Sequence, residues 1–412
     1  MLLQEQLDLR WKAGADGIPA LVDWLLAESA RSSASDLHIE PRENDVLLRW
    51  RRDGCLVDAG VGRGVLRTNL IQRIKVLAGM LTYRTDIPQD GRITASALNG
   101  GVDMRVSVYP AALGEKVVVR FFHSARPAGE VAQPAGEVAQ PAGVSAQDFT
   151  LDSLGLNSLD AERIEACLAR PQGMLLLTGP AGSGKTTTMY AALRKIVENA
   201  HGQRQIVTIE DPVERIIPGV THTEIRPAAE LDYPAALKAL LRQDPEVILI
   251  GEIRDGQTAQ VAVQAALTGH FILSTVHAPS APDVLLRLMH LGVEPYLLAS
   301  VVSAVLDQRL IRRLCAACKR KAENGAPAAG AEPFRAVGCE ECAGTGYKRR
   351  MLVAELLLVE GAVRNAILAR KDSMELLNAA AASGWRGLWS RGVEQVAAGL
   401  TTFSELRRVL AE

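Results

Sequence analysis

Hydrophobic positions along the chain change their period partway through. Up to about residue 126, DVLLRWRRDG (45–54), GVDMRVSVYP (101–110) and KVVVRFF (116–122) alternate apolar and polar side chains. A period of two sends successive side chains to opposite faces, so these segments read as half-buried strands. Helical spacing around 20–30 and 67–80 interrupts them, which predicts an α+β module. After the segment PAGEVAQPAGEVAQPAG (127–143), apolar runs alternate with helical ones: MLLLTG and TTTMYAALRKIVEN, QIVTIED and YPAALKALLRQ, EVILIGE and TAQVAVQAALTG, then FILSTVH. Strand and helix in alternation predict an α/β unit with a doubly wound sheet, whose ligands bind at the carboxyl ends of the strands. From about residue 360 the pattern is helical and predicts a separate bundle. There Thr402 and Glu405 stand at capping-box spacing before a last helix.

The boundaries follow from these changes. Residues 1–126 are expected to form an N-terminal α+β domain with a short helical segment at its start. Residues 127–146 are rich in Pro, Gly and Ala without apolar periodicity, as in a flexible linker. Residues 147–312 are read as the nucleotide-binding core, 313–347 as a cysteine-bearing element and 348–412 as a C-terminal helical region.

With 412 residues the chain has room for two or three cores. A net charge of −1 and 4% aromatic residues leave little for phosphate tracking or base stacking, so no nucleic-acid partner is expected. The start, MLLQEQLDLRWKAGADG, turns polar at once and does not resemble a secretory signal. The longest apolar runs, EVILI and LLASVVSAVL, fall short of the roughly 18 residues of a membrane span. Cytoplasmic localisation without a membrane span is therefore expected.

GPAGSGKTTT (179–188) fits G-x-x-x-x-G-K-[ST] between an apolar run and a helical pattern. Gly179, Gly182 and Gly184 let backbone N–H groups turn inward around phosphate oxygens, Pro180, Ala181 and Ser183 complete the nucleotide-binding loop, and Lys185 reaches the β- and γ-phosphates. Thr186 is the expected Mg²⁺ ligand, and Thr187 completes the nucleotide-contacting run. ATP and Mg²⁺ are the ligands implied. Hydrolysis needs carboxylates to hold metal and position water. QIVTIEDPVE offers Glu210, Asp211 and Glu214; EVILIGEIRD offers Glu252, with Arg254 and Asp255 beyond it. Gly251 stands where a generic metal-binding aspartate is expected. His277 follows the strand FILST, and His270, just before it, is the weaker candidate.

Cys55 and Cys167 are isolated and read as small buried side chains. Cys315, Cys318, Cys339 and Cys342 form C-x₂-C-x₂₀-C-x₂-C. Four thiolates at that spacing suit a closed tetrahedral Zn²⁺ site with no open position for chemistry.

Several motifs together resemble the secretion ATPases of type II secretion and type IV pilus assembly. ASDLHIEP (34–41) and DGRI (90–93) match that family's N-terminal domain. GPAGSGKTTTMY matches its Walker A, TIEDPVE its aspartate box, LRQDPEVILIGEIRD its Walker B region, and LTGHFILSTVHA its histidine box. The resemblance runs from about residue 30 to the end. It implies a RecA-like ATPase core, a homo-hexameric ring, and arginines of the N-terminal domain reaching a neighbour's phosphates. Arg105 and Arg120 occupy the matching positions; Arg84 and Arg92 are weaker candidates. It also makes Gly251-Glu252 ordinary for the family, and leaves Glu252 and Glu210 as rivals for the base. Members that drive assembly or secretion carry a tetracysteine element, which retraction members generally lack, so the resemblance implies outward work with inner-membrane platform and cytoplasmic-side partners. About thirty residues precede ASDLHIEP, too few for a further core-bearing docking module. A nucleic-acid-handling RecA-like motor and a nucleotide-binding scaffold without turnover are the alternatives.

Overall fold

The computed structural model describes residues 2–32, 34–63, 67–94, 101–122, 150–229, 231–322 and 333–410. The linker expected at 127–146 lies wholly outside them. The described residues fall into two compact units, one up to residue 122 and one from residue 150.

In the first unit, helices α1 (Leu2–Trp11) and α2 (Ile18–Arg31) precede strands β1 (Asp36–Pro41), β2 (Asp45–Arg52) and β3 (Cys55–Arg63). Helix α3 (Arg67–Leu77) then leads to β4 (Gln89–Ile93), β5 (Asp103–Ala111) and β6 (Gly114–Phe122). The strands form an antiparallel sheet in the order β3-β2-β1-β6-β5-β4. Alternation decides its faces. Leu37, Ile39, Leu48, Val106, Val108, Val117 and Val119 point to one side and pack on Leu21, Leu25, Leu70 and Ile74 of α2 and α3. The opposite face carries Asp36, Arg105 and Arg120. Under the helical layer the Lys75 ammonium is fully buried, and donates to Glu115 and to the carbonyl of Arg84, both at 2.6 Å.

The second unit begins with α4 (Ser158–Leu168), then β7 (Gly173–Thr178), α5 (Lys185–Ala200), β8 (Ile206–Glu210), β9 (Thr221–Glu224) and α6 (Tyr233–Leu240). It continues through β10 (Val247–Ile250), α7 (Gly256–Leu267), β11 (Phe271–Thr275), α8 (Ala281–His290), α9 (Pro295–Val301) and β12 (Val302–Leu314). After the short pair β13 (Arg320–Lys321) and β14 (Phe334–Arg335) come β15 (Tyr347–Leu358), α10 (Gly361–Leu368), α11 (Ser373–Ala382), α12 (Gly387–Ala397) and α13 (Phe403–Leu410). The seven-stranded sheet runs β15-β12-β7-β11-β10-β8-β9, parallel throughout except for β15. Strands β7, β8, β10 and β11 are completely buried, as expected where helices cover both faces.

Two features depart from the sequence reading. Residues 348–358, assigned to the helical region, belong to β15, which pairs antiparallel with β12 from Ala304–Leu358 to Leu314–Tyr347. The cysteine element is thus an excursion between two paired strands of the core sheet. Nor is the C-terminal region a separate bundle. Val363, Ile367, Leu376 and Ala380 of α10 and α11 join the main core, while Leu388, Val396 and Leu406 of α12 and α13 pack on Ile311, Met351 and Val353 of the added strands. Helices this short bury too little of one another to stand alone, and the sheet supplies the missing apolar face.

Candidate nucleotide site and cysteine cluster

Four neighbouring parallel strands deliver the expected residues to one edge. Strand β7 leads into the loop 179–184, β11 leads to His277, β10 to Glu252, and β8 ends on Glu210. The spatial order β7-β11-β10-β8 therefore sets the loop, the histidine and the two glutamates side by side.

Gly179 has φ 141°, and a Cβ there would lie 2.4 Å from the carbonyl oxygen of Gln308, so only glycine fits. Lys185 opens α5, and its Nζ donates to the carbonyls of Gly179 and Pro180 at 2.7 and 2.9 Å. Burial and the neighbouring Arg309 push its pKa below the usual lysine value, against the pull of Glu252. Gln308, completely buried on β12, donates to the carbonyl of Ser183 at 2.9 Å and fixes the loop from beneath. The buried Ser183 hydroxyl has no protein partner. Loop amides, an ammonium held only by loop carbonyls and an unsatisfied hydroxyl fit a phosphate chain. Thr186, second in the helix, suits the hydroxyl ligand of a phosphate-bound Mg²⁺.

Glu252 is mostly buried. Its carboxylate forms an ion pair with Arg254 and lies 3.4 Å from Nε2 of His277. His277 thus approaches one of the candidate carboxylates, whereas His270 bonds the carbonyl of Ala265 through Nδ1 at 2.8 Å and closes the end of α7. Gly251 has a local reason to lack a side chain: a Cβ would come within 2.8 Å of the Tyr233 hydroxyl. Burial, together with the charges of Glu252 and Asp211, raises the Tyr233 pKa and keeps that hydroxyl protonated.

Glu210 is set deeper, 5% exposed. It accepts from Tyr190 at 2.5 Å and from Thr208 at 2.6 Å, and Nδ1 of His222 lies 3.0 Å away. Burial and the adjacent carboxylate hold Tyr190 protonated as a donor. The residues sequence reasoning missed are those that support the site: Tyr190, His222, Tyr233, Gln308 and Arg309. Tyr190 alone had a signal, as the last residue of GPAGSGKTTTMY.

In the first unit Arg105 and Arg120 are directly opposite on β5 and β6, both more than half exposed. Arg92 continues the row on β4, opposite Arg105. Arg120 Nε donates to Asp36 at 2.9 Å, and Arg105 lies 3.9 Å from Asp90. Arg84 is paired with Asp86.

The four cysteines converge, with Sγ separations of 3.8 Å for Cys315–Cys339 and Cys318–Cys342 and 3.7 Å for Cys339–Cys342. Tetrahedral Zn–S bonds of about 2.3 Å require sulfur separations of about 3.8 Å, so the set fits zinc. Burial pushes the Cys318 thiol up to about 11. Cys342 is also raised by burial, but N–H groups of Cys339 and Gly346 donate to its sulfur and bring it down to about 6. Of the isolated pair, Cys167 is buried as expected, while Cys55 is partly exposed.

Residues 12–136 and 138–408 match the family described as Type II/IV secretion system protein. The chain is similar to the type II secretion system protein HxcR of Pseudomonas aeruginosa, with 39% identity over 96% of this chain and 78% of that one. It is 37% identical to the type IV pilus assembly ATPase PilB of Thermus thermophilus, over 93% of this chain and 42% of the relative. Among solved structures, the ATPase DotB of Legionella pneumophila superposes with a TM-score of 0.65 at 19% identity, over 94% of both chains, which supports the RecA-like fold. The sequence matches extend over both units and every motif described above, and they show that this chain belongs to the type II/IV secretion system protein family and is an ATPase.

Proposed function

We propose that the chain is the motor subunit of a type II secretion or type IV pilus-like machine, working as a homo-hexamer in the outward, assembling direction. The observation that carries this is the convergence of the phosphate loop, Glu252 and Glu210 on adjacent strand ends. In this reading Lys185 exchanges the carbonyls of Gly179 and Pro180 for phosphate oxygens, and residues 179–187 line the nucleotide. Thr186 would hold Mg²⁺, whose charge offsets that of the phosphates. Glu252, steadied by Arg254 and His277, organises the metal and the attacking water. Glu210 is the second carboxylate on which turnover depends, a close rival for the base. Arg105 and Arg120 serve the γ-phosphate of a neighbouring subunit. Cys315, Cys318, Cys339 and Cys342 hold one structural Zn²⁺. Partners are an inner-membrane platform and cytoplasmic-side proteins of the machine. Among the described residues no helix is long and apolar enough to cross a membrane, and membrane association through those partners, from the cytoplasm, is part of the proposal.

The test combines turnover with capture. ATP hydrolysis by wild type and Glu252→Gln is compared, and the ATP-loaded chain is used to recover partners from detergent-solubilised membranes. Loss of turnover in the variant and recovery of a platform protein with secretion or pilus components are expected. Equal turnover, or recovery of nucleic-acid-handling proteins alone, would overturn the reading.

A further inference from the structure

Glu210 is surrounded by donors from three elements. Strands β8 and β9 are parallel with Thr208 opposite His222, and Glu210 is two residues beyond Thr208 on the same face. Tyr190, on the helix that Lys185 opens, supplies the third donor. His222 is as well enclosed as its partner, with side-chain exposures of 2% and 6%. Its two ring nitrogens have distinct neighbours. The backbone N–H of Ile217 donates to Nε2 at 3.0 Å, so Nε2 is an acceptor. In the neutral ring the proton therefore sits on Nδ1, which faces Oε1 of Glu210 at 3.0 Å and the Thr208 hydroxyl at 2.9 Å. Oε1 thus faces the Thr208 hydroxyl and Nδ1–H, while Oε2 is held by Tyr190. The segment that leaves β8 is tied to the same group, because Tyr190 Oη accepts from the N–H of Arg215 at 3.3 Å while Ile217 holds the ring.

We propose that His222 is a positioning residue for ATP hydrolysis: its Nδ1–H fixes the carboxylate of Glu210, and its Nε2 anchors that arrangement to the chain at Ile217. This rests on the reading of Glu210 as a group required for turnover. A carboxylate held by three donors has its lone pairs aimed and its rotamer fixed, which is the second-layer support that a reacting group needs. Removal of the imidazole leaves Oε1 to a single hydroxyl and the Ile217 N–H without its acceptor. The nucleotide-binding loop is held separately, by hydrogen bonds of Lys185 to the carbonyls of Gly179 and Pro180 and of Gln308 to that of Ser183.

The experiment measures steady-state ATP hydrolysis by the full chain for Glu210→Gln, His222→Leu, His222→Gln and the double variant Glu210→Gln/His222→Leu, each with a thermal melt. His222→Leu is expected to lower kcat by about 10- to 100-fold with KM for ATP within about twofold. His222→Gln keeps both an N–H and an acceptor and should recover turnover to within about fivefold. If His222 acts through Glu210, the double variant is no slower than Glu210→Gln alone, because the second change removes support from a group already disabled. A kcat within twofold of wild type for His222→Leu, a joint change in kcat and KM, or additive losses in the double variant would overturn the proposal. So would a Gln variant as inactive as Leu. Should His222→Leu not melt cooperatively, His222→Ala takes its place, and failure of both to fold confines the residue to the fold. Unimpaired turnover in Glu210→Gln would instead sink the underlying role of that glutamate, so the two failures are separable.

Discussion

Lys185 and Gly251 show how much single positions in this site depend on their immediate neighbours. Lys185 Nζ donates to two loop carbonyls, which phosphate oxygens replace in the proposed reading. Lys185→Ala should therefore lower nucleotide affinity and reduce turnover by about 100-fold or more, read by nucleotide titration and phosphate release; retained turnover would refute the site. At Gly251, restoring the aspartate common in other nucleotide sites forces a Cβ against the Tyr233 hydroxyl. Gly251→Asp should cost about 1–3 kcal/mol of stability in a melt, with part recovered when Tyr233→Phe removes the hydroxyl. The loop and its lysine were legible because spacing alone specifies them. Tyr233 and His222 were not, since a lone tyrosine or histidine declares a role only when the fold sets it against a particular carboxylate.

Among the elements, strands β7, β8, β10 and β11 were readable from their continuous apolar runs, whereas β9, with the sequence THTE, offers no such run. Strand β15 was not. MLVAELLL is compatible with either helix or strand, and its partner residues on β12 lie 40 to 54 positions earlier, from Ile311–Met351 to Ala304–Leu358, so only long-range pairing decides. Strand β12 hid for another reason: DQRLIRR carries charges that look like surface, yet Asp307 and Gln308 are buried beneath the loop and Arg312 is clamped by Glu405. That clamp also explains why the capping box at α13 is half formed. Thr402 accepts from the N–H of Glu405 at 3.2 Å, but the Glu405 carboxylate turns to Arg312 and Arg408. Burial raises the Glu405 pKa, and those two guanidiniums outweigh it, so the net shift is downward. A lowered carboxylate stabilises the fold fully above its unfolded value of about 4.3 and loses that contribution as pH falls through the folded value. Glu405→Gln should cost about 3 kcal/mol at neutral pH and flatten the acid limb of the stability profile, both measured by denaturant melts across pH. At the neighbouring element, Cys315→Ser with Cys318→Ser should remove one zinc per chain by metal analysis. An unchanged zinc content would refute the metal clip.

For the molecule as a whole, the two units divide the chemistry in the proposed reading. The second carries the nucleotide loop and carboxylates, while the first presents a row of exposed guanidiniums on a polar sheet face. In the proposed ring, Arg105→Ala or Arg120→Ala should leave ATP binding intact and lower hydrolysis by about 10³-fold, the scale of a donated arginine. Equal specific activity in dilute monomer and in ring would argue against service in trans. The division into units was legible from the composition break, whereas the attachment of the C-terminal helices to the core sheet depended on apolar stripes whose partners lie on other elements. Strand β12 has a mechanical consequence. Gln308 holds the phosphate loop, and seven residues later Cys315 enters the cysteine cluster, a span of about 23 Å along extended backbone. Over that span β12 is paired with β15 alone, and backbone already extended cannot lengthen much further, so loop and cluster sit at the two ends of one rod, as a pushrod joins a piston to a distant valve.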